Sequence, residues 1–465
     1  MKRSEKQAEP QSSTAFSANA RKALEWLDEL LLLQDVFGDE VGEAFSRLLR
    51  WLAKKEESDG AKGYRRYGKL WKAVLSTQEF IHHPRVGTFL QDYWLERFLE
   101  NDNPFHRKAE MASLSKISPS LTETYRREVE IFQKLIRVDW EAEYLKKAGL
   151  LGKAGAPSLE GSNEIERESE LSPSAKARRD IKKKILSGGA KNAGLVTEIS
   201  EYFSRNGWGL FGRYRAFRWH GHGDGKGKLT GIGAVDPIQL RNLVGYDELR
   251  QPLIDNIEAF IAGKWANNVL LYGERGTGKS STVKALLNVY QDRGLRIIEV
   301  ATSDLKDFHD ILPFVRGRRE KFILFVDDLS FEENETSYKG LKAVLEGTVE
   351  APPQNVILIA TSNRRHLVRE FFGDRMEGKQ NDGEIHGQDT IEEKLSLSDR
   401  FGLVVSFYTP DQEIYLKIVD SWAKAEGIKM PPQELHPRAL RWAQFNNGRS
   451  GRTARQFIID IKSKA

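Results

Sequence analysis

With 465 residues, 39% of them hydrophobic and 30% charged, the chain is long enough for about three domains of ordinary size and rich enough for a real core with solvated segments around it. It has no cysteine, which excludes disulfides, thiolate zinc sites and cysteine nucleophiles. A net charge of +5 is small for this length and permits nucleic-acid contact without arguing for it.

No apolar run reaches the ~18 to 20 residues of a membrane helix. The charged start Met1-Lys2-Arg3-Ser4-Glu5-Lys6 is not followed by an apolar stretch, so no secretory signal is expected and the location reads as cytoplasmic. Residues 1–20 are polar and read as a disordered tail. From 21 to 150 the pattern is helical. Leu24, Leu27, Leu30, Leu31 and then Leu48, Leu49, Leu52 recur at three- and four-residue spacing, with Tyr125, Val129, Phe132, Leu135 and Ile136 in a later series. Gly60-Ala61-Lys62-Gly63 and His83-Pro84 break the pattern. The stretch 21–150 is expected to be a helical domain with its Trp and Tyr residues in the core.

Residues 151–194 read as a charged linker. An acidic stretch, 164–170, is followed by the basic run Lys176, Arg178, Arg179, Lys182, Lys183, Lys184, expected as a solvated helix paired with the acids upstream. Residues 195–240 form a connector rich in glycine and aromatics. Its arginines interleave with aromatics from Trp208 to Trp219, which suits either stacking on bases or folding back onto the core. His220 and His222 lack a third ligand nearby, so a metal site is not expected there.

From 241 strands and helices alternate. The stretches 268–272, 295–300, 321–326, 355–360 and 403–407 read as strands, those at 268–272, 321–326 and 355–360 as buried ones, separated by helical patterns that include 249–262, 281–290, 305–316 and 338–345. This predicts an α/β core over 241–409, a parallel sheet with helices on both faces. From 410 to 465 the pattern is helical only, as three helices.

The central motif is Gly273-Glu274-Arg275-Gly276-Thr277-Gly278-Lys279-Ser280, a full G-x-x-x-x-G-K-[ST] phosphate-binding loop between a strand and a helix. Its backbone N–H groups and the positive end of the helix make an anion site. Lys279 is placed to reach the β- and γ-phosphates and the Ser280 hydroxyl to ligate Mg²⁺. The apolar strand ending in Asp327-Asp328 brings two carboxylates to the strand ends where ligands sit. Asp327 suits Mg²⁺ and Asp328 suits a general base. A second strand ends in Thr361-Ser362-Asn363, where Asn363 or Thr361 can hydrogen-bond the γ-phosphate or the attacking water. Arg400 precedes the last strand and Arg452 opens the last helix. Arginine's planar, permanently charged fork suits spread phosphate charge.

The order of these motifs resembles the AAA+ ATPases over roughly 240–465. Leu-Tyr-Gly-Glu-Arg-Gly-Thr-Gly-Lys-Ser-Ser through Ser281, Phe-Val-Asp-Asp-Leu-Ser-Phe, Ala-Thr-Ser-Asn-Arg-Arg-His-Leu and Leu-Ser-Asp-Arg-Phe-Gly-Leu are similar to an uncharacterised bacterial AAA+ family of ATP-binding proteins. The resemblance implies ATP and Mg²⁺ as ligands, a C-terminal helical lid, and Asn363 as first sensor. It implies Arg400 as an arginine finger on a neighbouring subunit's nucleotide, hence a homo-oligomer. It also implies Arg452 as lid sensor, with Arg455 the alternative, and Val244 in the adenine pocket.

The chain departs from that family in ending the acidic strand in Asp-Asp rather than Asp-Glu, so slow turnover is expected unless Asp328 is placed to compensate. Glu332 and Glu333 are the alternative bases, and the Gly/Asp/Glu-rich stretch 373–394 reads as an insertion. The expected function is ATP-driven action on a macromolecular partner, recruited as a protein through the helical N-terminal half. The alternatives are a loader-like nucleic-acid ATPase, supported by 176–184 and 208–219, and a slow nucleotide switch. Residues 302–308 lack the aromatic-glycine pair of a threading pore loop.

Overall fold

The computed structural model describes residues 13–54, 60–78, 85–148, 173–188, 193–221, 227–329, 345, 353–363, 400–446 and 448–464. The chain divides into two compact units, Met1–Arg213 and Tyr214–Ala465.

The first unit is helical: α1 (Ser13–Asp28), α2 (Glu40–Leu52), α3 (Gly60–Gln78), α4 (Phe89–Glu100), α5 (Pro104–Met111), α6 (Pro119–Arg137), α7 (Trp140–Lys147), α8 (Pro173–Ser187), α9 (Ala193–Asn206) and α10 (Gly209–Arg213). Helix starts carry their own signals. Thr88 and Gln91 form a reciprocal capping box on α4, and Pro104 and Pro119 stand in the first turns of α5 and α6. The apolar spacing of α2 puts Val41, Phe45, Leu48, Leu49 and Leu52 on the core side. Trp94, Trp140 and Tyr125 are buried in the same core, and the rings of Phe105 and Tyr125 stack at 3.8 Å.

Two expectations fail here. Gly60–Gly63 do not break the helical pattern; they open α3. A Cβ on Gly63 would lie 2.6 Å from the Trp51 ring, so this glycine allows close packing rather than a turn. The basic run is not simply a solvated helix. Arg178 and Lys182 of α8 are buried, at 3% and 1% exposure. Arg178 donates to Glu96 through Nε at 2.9 Å, and Lys182 Nζ donates to Asp92 at 2.6 Å and to Glu96 at 2.8 Å. Two cations at i and i+4 face two carboxylates at i and i+4 of α4, so each helix supplies the other's counter-charge.

The second unit is built on a seven-stranded sheet of order β2-β1-β4-β5-β6-β3-β7. Its strands are β1 (Ala216–His220), β2 (Lys228–Ile232), β3 (Val269–Gly273), β4 (Leu295–Glu299), β5 (Lys321–Val326), β6 (Val356–Ser362) and β7 (Leu403–Phe407). Every ladder is parallel except β1–β2. Helices α11 (Asp247–Ile261), α12 (Lys279–Tyr290) and α13 (Phe308–Val315) connect the strands. β5 and β6 are buried almost throughout, as strands covered on both faces must be. Three further helices, α14 (Gln412–Ala425), α15 (Pro432–Phe445) and α16 (Gly451–Lys464), share a separate small core around Tyr415, Val419, Ala439 and Ile458. The lid implied by the resemblance is this three-helix group.

The segment read as a Gly/aromatic connector does not stay together. Residues 209–213 are helical in the first unit, and 216–220 form β1 at the β4 side of the sheet. Phe217 and Trp219 are buried, Arg218 and His220 exposed, so Phe217 and Trp219 offer no free face to a nucleic-acid base. His220 meets Thr230 at 2.8 Å. His222, the helix expected at 338–345 apart from Leu345, Glu332, Glu333 and the stretch 373–394 lie outside the described residues.

Candidate functional site

The phosphate loop leaves β3 at Gly273 and enters α12 at Lys279. Gly276 and Gly278 adopt φ of 78° and 98°, values that glycine takes without strain. A Cβ on Gly273 would overlap the Phe407 carbonyl of the adjacent strand β7 at 1.9 Å. These glycines therefore let the chain turn back over the strand ends and aim the first N–H groups of α12 at one point.

Lys279 is 6% exposed. Its ammonium donates to the Gly273 carbonyl at 2.7 Å, the Glu274 carbonyl at 2.8 Å and Asn363 Oδ1 at 3.1 Å. Burial pushes its pKa below the ordinary lysine value, while Asp328 and Asp327 oppose that shift. The Ser280 hydroxyl donates to Asp327 Oδ1 at 2.6 Å. Thr361 donates to the same oxygen at 2.6 Å. The Asn363 amide donates to Asp328. Lys279, Ser280, Asp327, Asp328, Thr361 and Asn363 thus form one hydrogen-bonded set drawn from α12 and the carboxyl ends of β5 and β6.

These groups line a cleft of about 610 Å³, a size that suits a nucleotide. Arg275, Gly276, Thr277, Gly278 and Ser281 also line it, as does Val244, which packs on the lid core. The lid contributes Ile418 and Trp422 from α14 and Arg452 and Arg455 from α16. It is fastened to the loop, since Gly451 N–H donates to the Gly276 carbonyl at 3.0 Å. Gly273 and Glu274 are not on the cleft wall; their carbonyls hold Lys279. Arg455 lies 5.2 Å over the Trp422 ring, while Arg452 stands beside Gly276. Arg400 is not in this cleft. It precedes the first residue of β7, whereas the loop follows the last residue of the parallel strand β3, so the two lie at opposite ends of the sheet.

Sequence reading did not anticipate Trp422, Lys284 or Asn242 on the cleft wall. Lys284 had a signal, standing one helical turn past Ser280 on the same face. Trp422 had none. The donor set fits a polyphosphate with Mg²⁺: the wall carries Arg275, Lys279, Lys284 and Arg452, and Ser280 and Asp327 present adjoining hard oxygens.

A family model described as a protein of unknown function, DUF815, matches residues 212–465, more than half of the chain. The chain belongs to the DUF815 family. This DUF815 chain is 24% identical over 156 residues to AAA-ATPase At2g46620 of Arabidopsis thaliana, a match covering 32% of this chain and 30% of the relative. It is 28% identical over 171 residues to the probable mitochondrial chaperone BCS1-A of Dictyostelium discoideum, covering 31% and 40%. The chain spans less than half the length of the curated relatives it matches. Among solved structures, the Thermotoga maritima RuvB Holliday junction branch migration motor aligns with 16% identity and a TM-score of 0.34, over 49% of this chain and 65% of that one. With its phosphate loop and mostly parallel sheet, the DUF815 chain has an AAA+ P-loop fold.

Proposed function

We propose that the cleft binds ATP with Mg²⁺ and that the chain hydrolyses it to ADP and phosphate, using the cycle to act on a macromolecular partner. The observation that carries this reading is the single hydrogen-bonded set joining Lys279, Ser280, Asp327, Asp328 and Asn363 through Thr361 beneath the N-terminus of α12. Lys279 and the loop N–H groups hold the β- and γ-phosphates. Ser280 and Asp327 hold Mg²⁺, which when bound neutralises charge on the leaving phosphate. Asp328 accepts a proton from the water that attacks the γ-phosphorus, as the bond from that phosphorus to the bridging oxygen breaks. Asn363 keeps the Asp328 carboxylate and the Lys279 ammonium in register, and Arg452 supplies lid charge. Val244 borders the base.

Arg400, far from its own cleft, fits a role on a neighbour's nucleotide in a homo-oligomer. The helical unit is the recruiting surface for a protein partner, and the location is cytoplasmic. Burial of Arg178, Lys182, Phe217 and Trp219 takes away much of the sequence support for a nucleic-acid partner.

Two variants test the site. Lys279→Ala removes a charged donor and should weaken ATP binding by about 10- to 150-fold, measured by calorimetry. Undiminished affinity refutes the phosphate site. Asp328→Asn should keep ATP binding but lower phosphate release by ~100-fold or more; normal turnover would move the base elsewhere. The same variant, loaded with ATP, is the bait for capturing the partner.

A further inference from the structure

Thr361 lies on β6 one position beyond the last residues paired between β5 and β6, Val326 and Ala360, and is 1% exposed. Its hydroxyl makes two different hydrogen bonds. It donates to Asp327 Oδ1 at 2.6 Å and accepts from the Asp328 backbone N–H at 2.9 Å. Its carbonyl then accepts from the Leu329 N–H at 2.7 Å. The turn that ends β5 is therefore fastened, residue by residue, to one threonine of the neighbouring strand.

That fastening fixes an unusual backbone. Asp328 has φ of 53°, the left-handed region, and among the described residues no other side-chain-bearing residue has positive φ. Aspartate tolerates this region better than longer acids, because its short polar side chain bonds locally. The Asp328 carboxylate itself accepts from the Asn363 amide just beyond β6. The bend gives a physical reason for Asp at this place instead of the longer Glu of the resembling family. It also divides the labour at the end of β6. Asn363 faces Lys279 and Asp328, while the Thr361 hydroxyl is wholly engaged with the Asp327 side chain and the Asp328 backbone.

We propose that Thr361 is the positioning residue of this site, its one hydroxyl orienting the Asp327 carboxylate toward Mg²⁺ and aiming the Asp328 carboxylate at the attacking water. The inference rests on the ATP–Mg²⁺ reading above. Groups that hydrogen-bond a metal ligand set its direction, and their loss lowers metal affinity or activity by about 10- to 100-fold. A threonine that merely filled space would have no such effect, because valine has its shape without the hydroxyl.

The test compares full-length wild type, Thr361→Val and Thr361→Ser. ATP affinity is measured by calorimetry in excess EDTA and across a Mg²⁺ titration, and phosphate release is followed under steady state. In Thr361→Val the EDTA affinity should stay at the wild-type level. The Mg²⁺ concentration at half-effect should rise about 10- to 100-fold, and kcat should fall with little change in KM. Thr361→Ser keeps the hydroxyl and should recover the Mg²⁺ response. A Thr361→Val protein with wild-type Mg²⁺ dependence and kcat overturns the proposal, while wild-type binding of Mg-ATP leaves the site reading standing. A wild type whose ATP affinity ignores Mg²⁺ overturns both. If Thr361→Val loses its folded circular-dichroism spectrum, Thr361→Ala takes its place with the same expected and overturning results. A Thr361→Ser protein with normal melting temperature and no Mg²⁺ response also overturns the role of the hydroxyl.

Discussion

Lowering the pH should destabilise the helical unit through one residue, His106. The ring is wholly buried. Nδ1 faces the Asn101 carbonyl at 2.8 Å and Nε2 faces the Tyr125 hydroxyl at 2.7 Å. The neutral ring is satisfied on both sides, donating from Nδ1 and accepting at Nε2. Burial pushes its pKa down from 6.5 to about 3, against a smaller upward pull from the Asn101 carbonyl and Asp102. The unfolded chain takes up a proton as pH falls through 6.5, and the folded chain refuses it until about 3. Stability from the neutral ring is therefore full at neutral pH and is lost as pH falls through that window. Between pH 7 and 4.5 the linkage amounts to about 2.5 kcal/mol, and it depends little on the folded value because 4.5 lies above it. For a unit of ~200 residues this is about 5–10 °C in Tm.

The assay is urea unfolding at both pH values, read by tryptophan fluorescence, since Trp51, Trp94 and Trp140 are all buried in the unit's core. His106→Gln cannot titrate. It should be less stable than wild type at pH 7, yet lose about 2.5 kcal/mol less on acidification. If the variant loses as much as wild type between the two pH values, His106 is not the linked group and the reasoning fails.

Two further outcomes are expected. Arg178→Met leaves the buried Glu96 without the guanidinium that donates twice to Oε2 while Lys182 remains on Oε1, so the loss should approach but not exceed about 3–5 kcal/mol; adding Glu96→Leu should recover most of it in thermal melts. Arg400→Ala should bind ATP normally but hydrolyse it slowly, and mixing it with Lys279→Ala subunits should restore phosphate release; mixed oligomers that stay inactive refute a finger acting between subunits.

The nucleotide module was legible because its signals are local. A glycine loop between strand and helix is written in consecutive residues, and Gly273, Gly276 and Gly278 stand where positive φ requires them. The strand at 321–326 announced itself as an apolar run from Phe322 to Val326. β1 was equally local, with buried Phe217 and Trp219 alternating with exposed Arg218 and His220, but arginines interleaved with aromatics suit base stacking as well as folding back onto the core, and the period of two distinguishes them only once it is read as a strand. Gly63 misled for the opposite reason. Its role is set by Trp51 on another helix, and no window around Gly63 contains that ring.

What sequence could not supply was the partner of each charge. Arg178 and Lys182 are one helical turn apart on α8, and Arg452 and Arg455 lie almost the same distance apart on α16. By residue type and spacing the two pairs are nearly alike. The first meets Glu96 and Asp92 and is buried. The second meets no carboxylate among the described ion pairs and opens onto the nucleotide cleft. A buried cation without a counter-charge is strongly disfavoured, so a cation pair left over by the fold must stay beside water or an anionic ligand. That difference, more than the presence of arginine, is what assigns the α8 pair to holding the helical unit together and leaves the α16 pair facing the cleft. The same rule explains Asp327 and Asp328, whose carboxylates face hydroxyl and amide donors and the nearby Lys279 ammonium at the open ends of the strands. Held by donors that can be exchanged for a metal or a water, they stay available for chemistry in a way that Asp92 and Glu96, closed in by buried cations, do not.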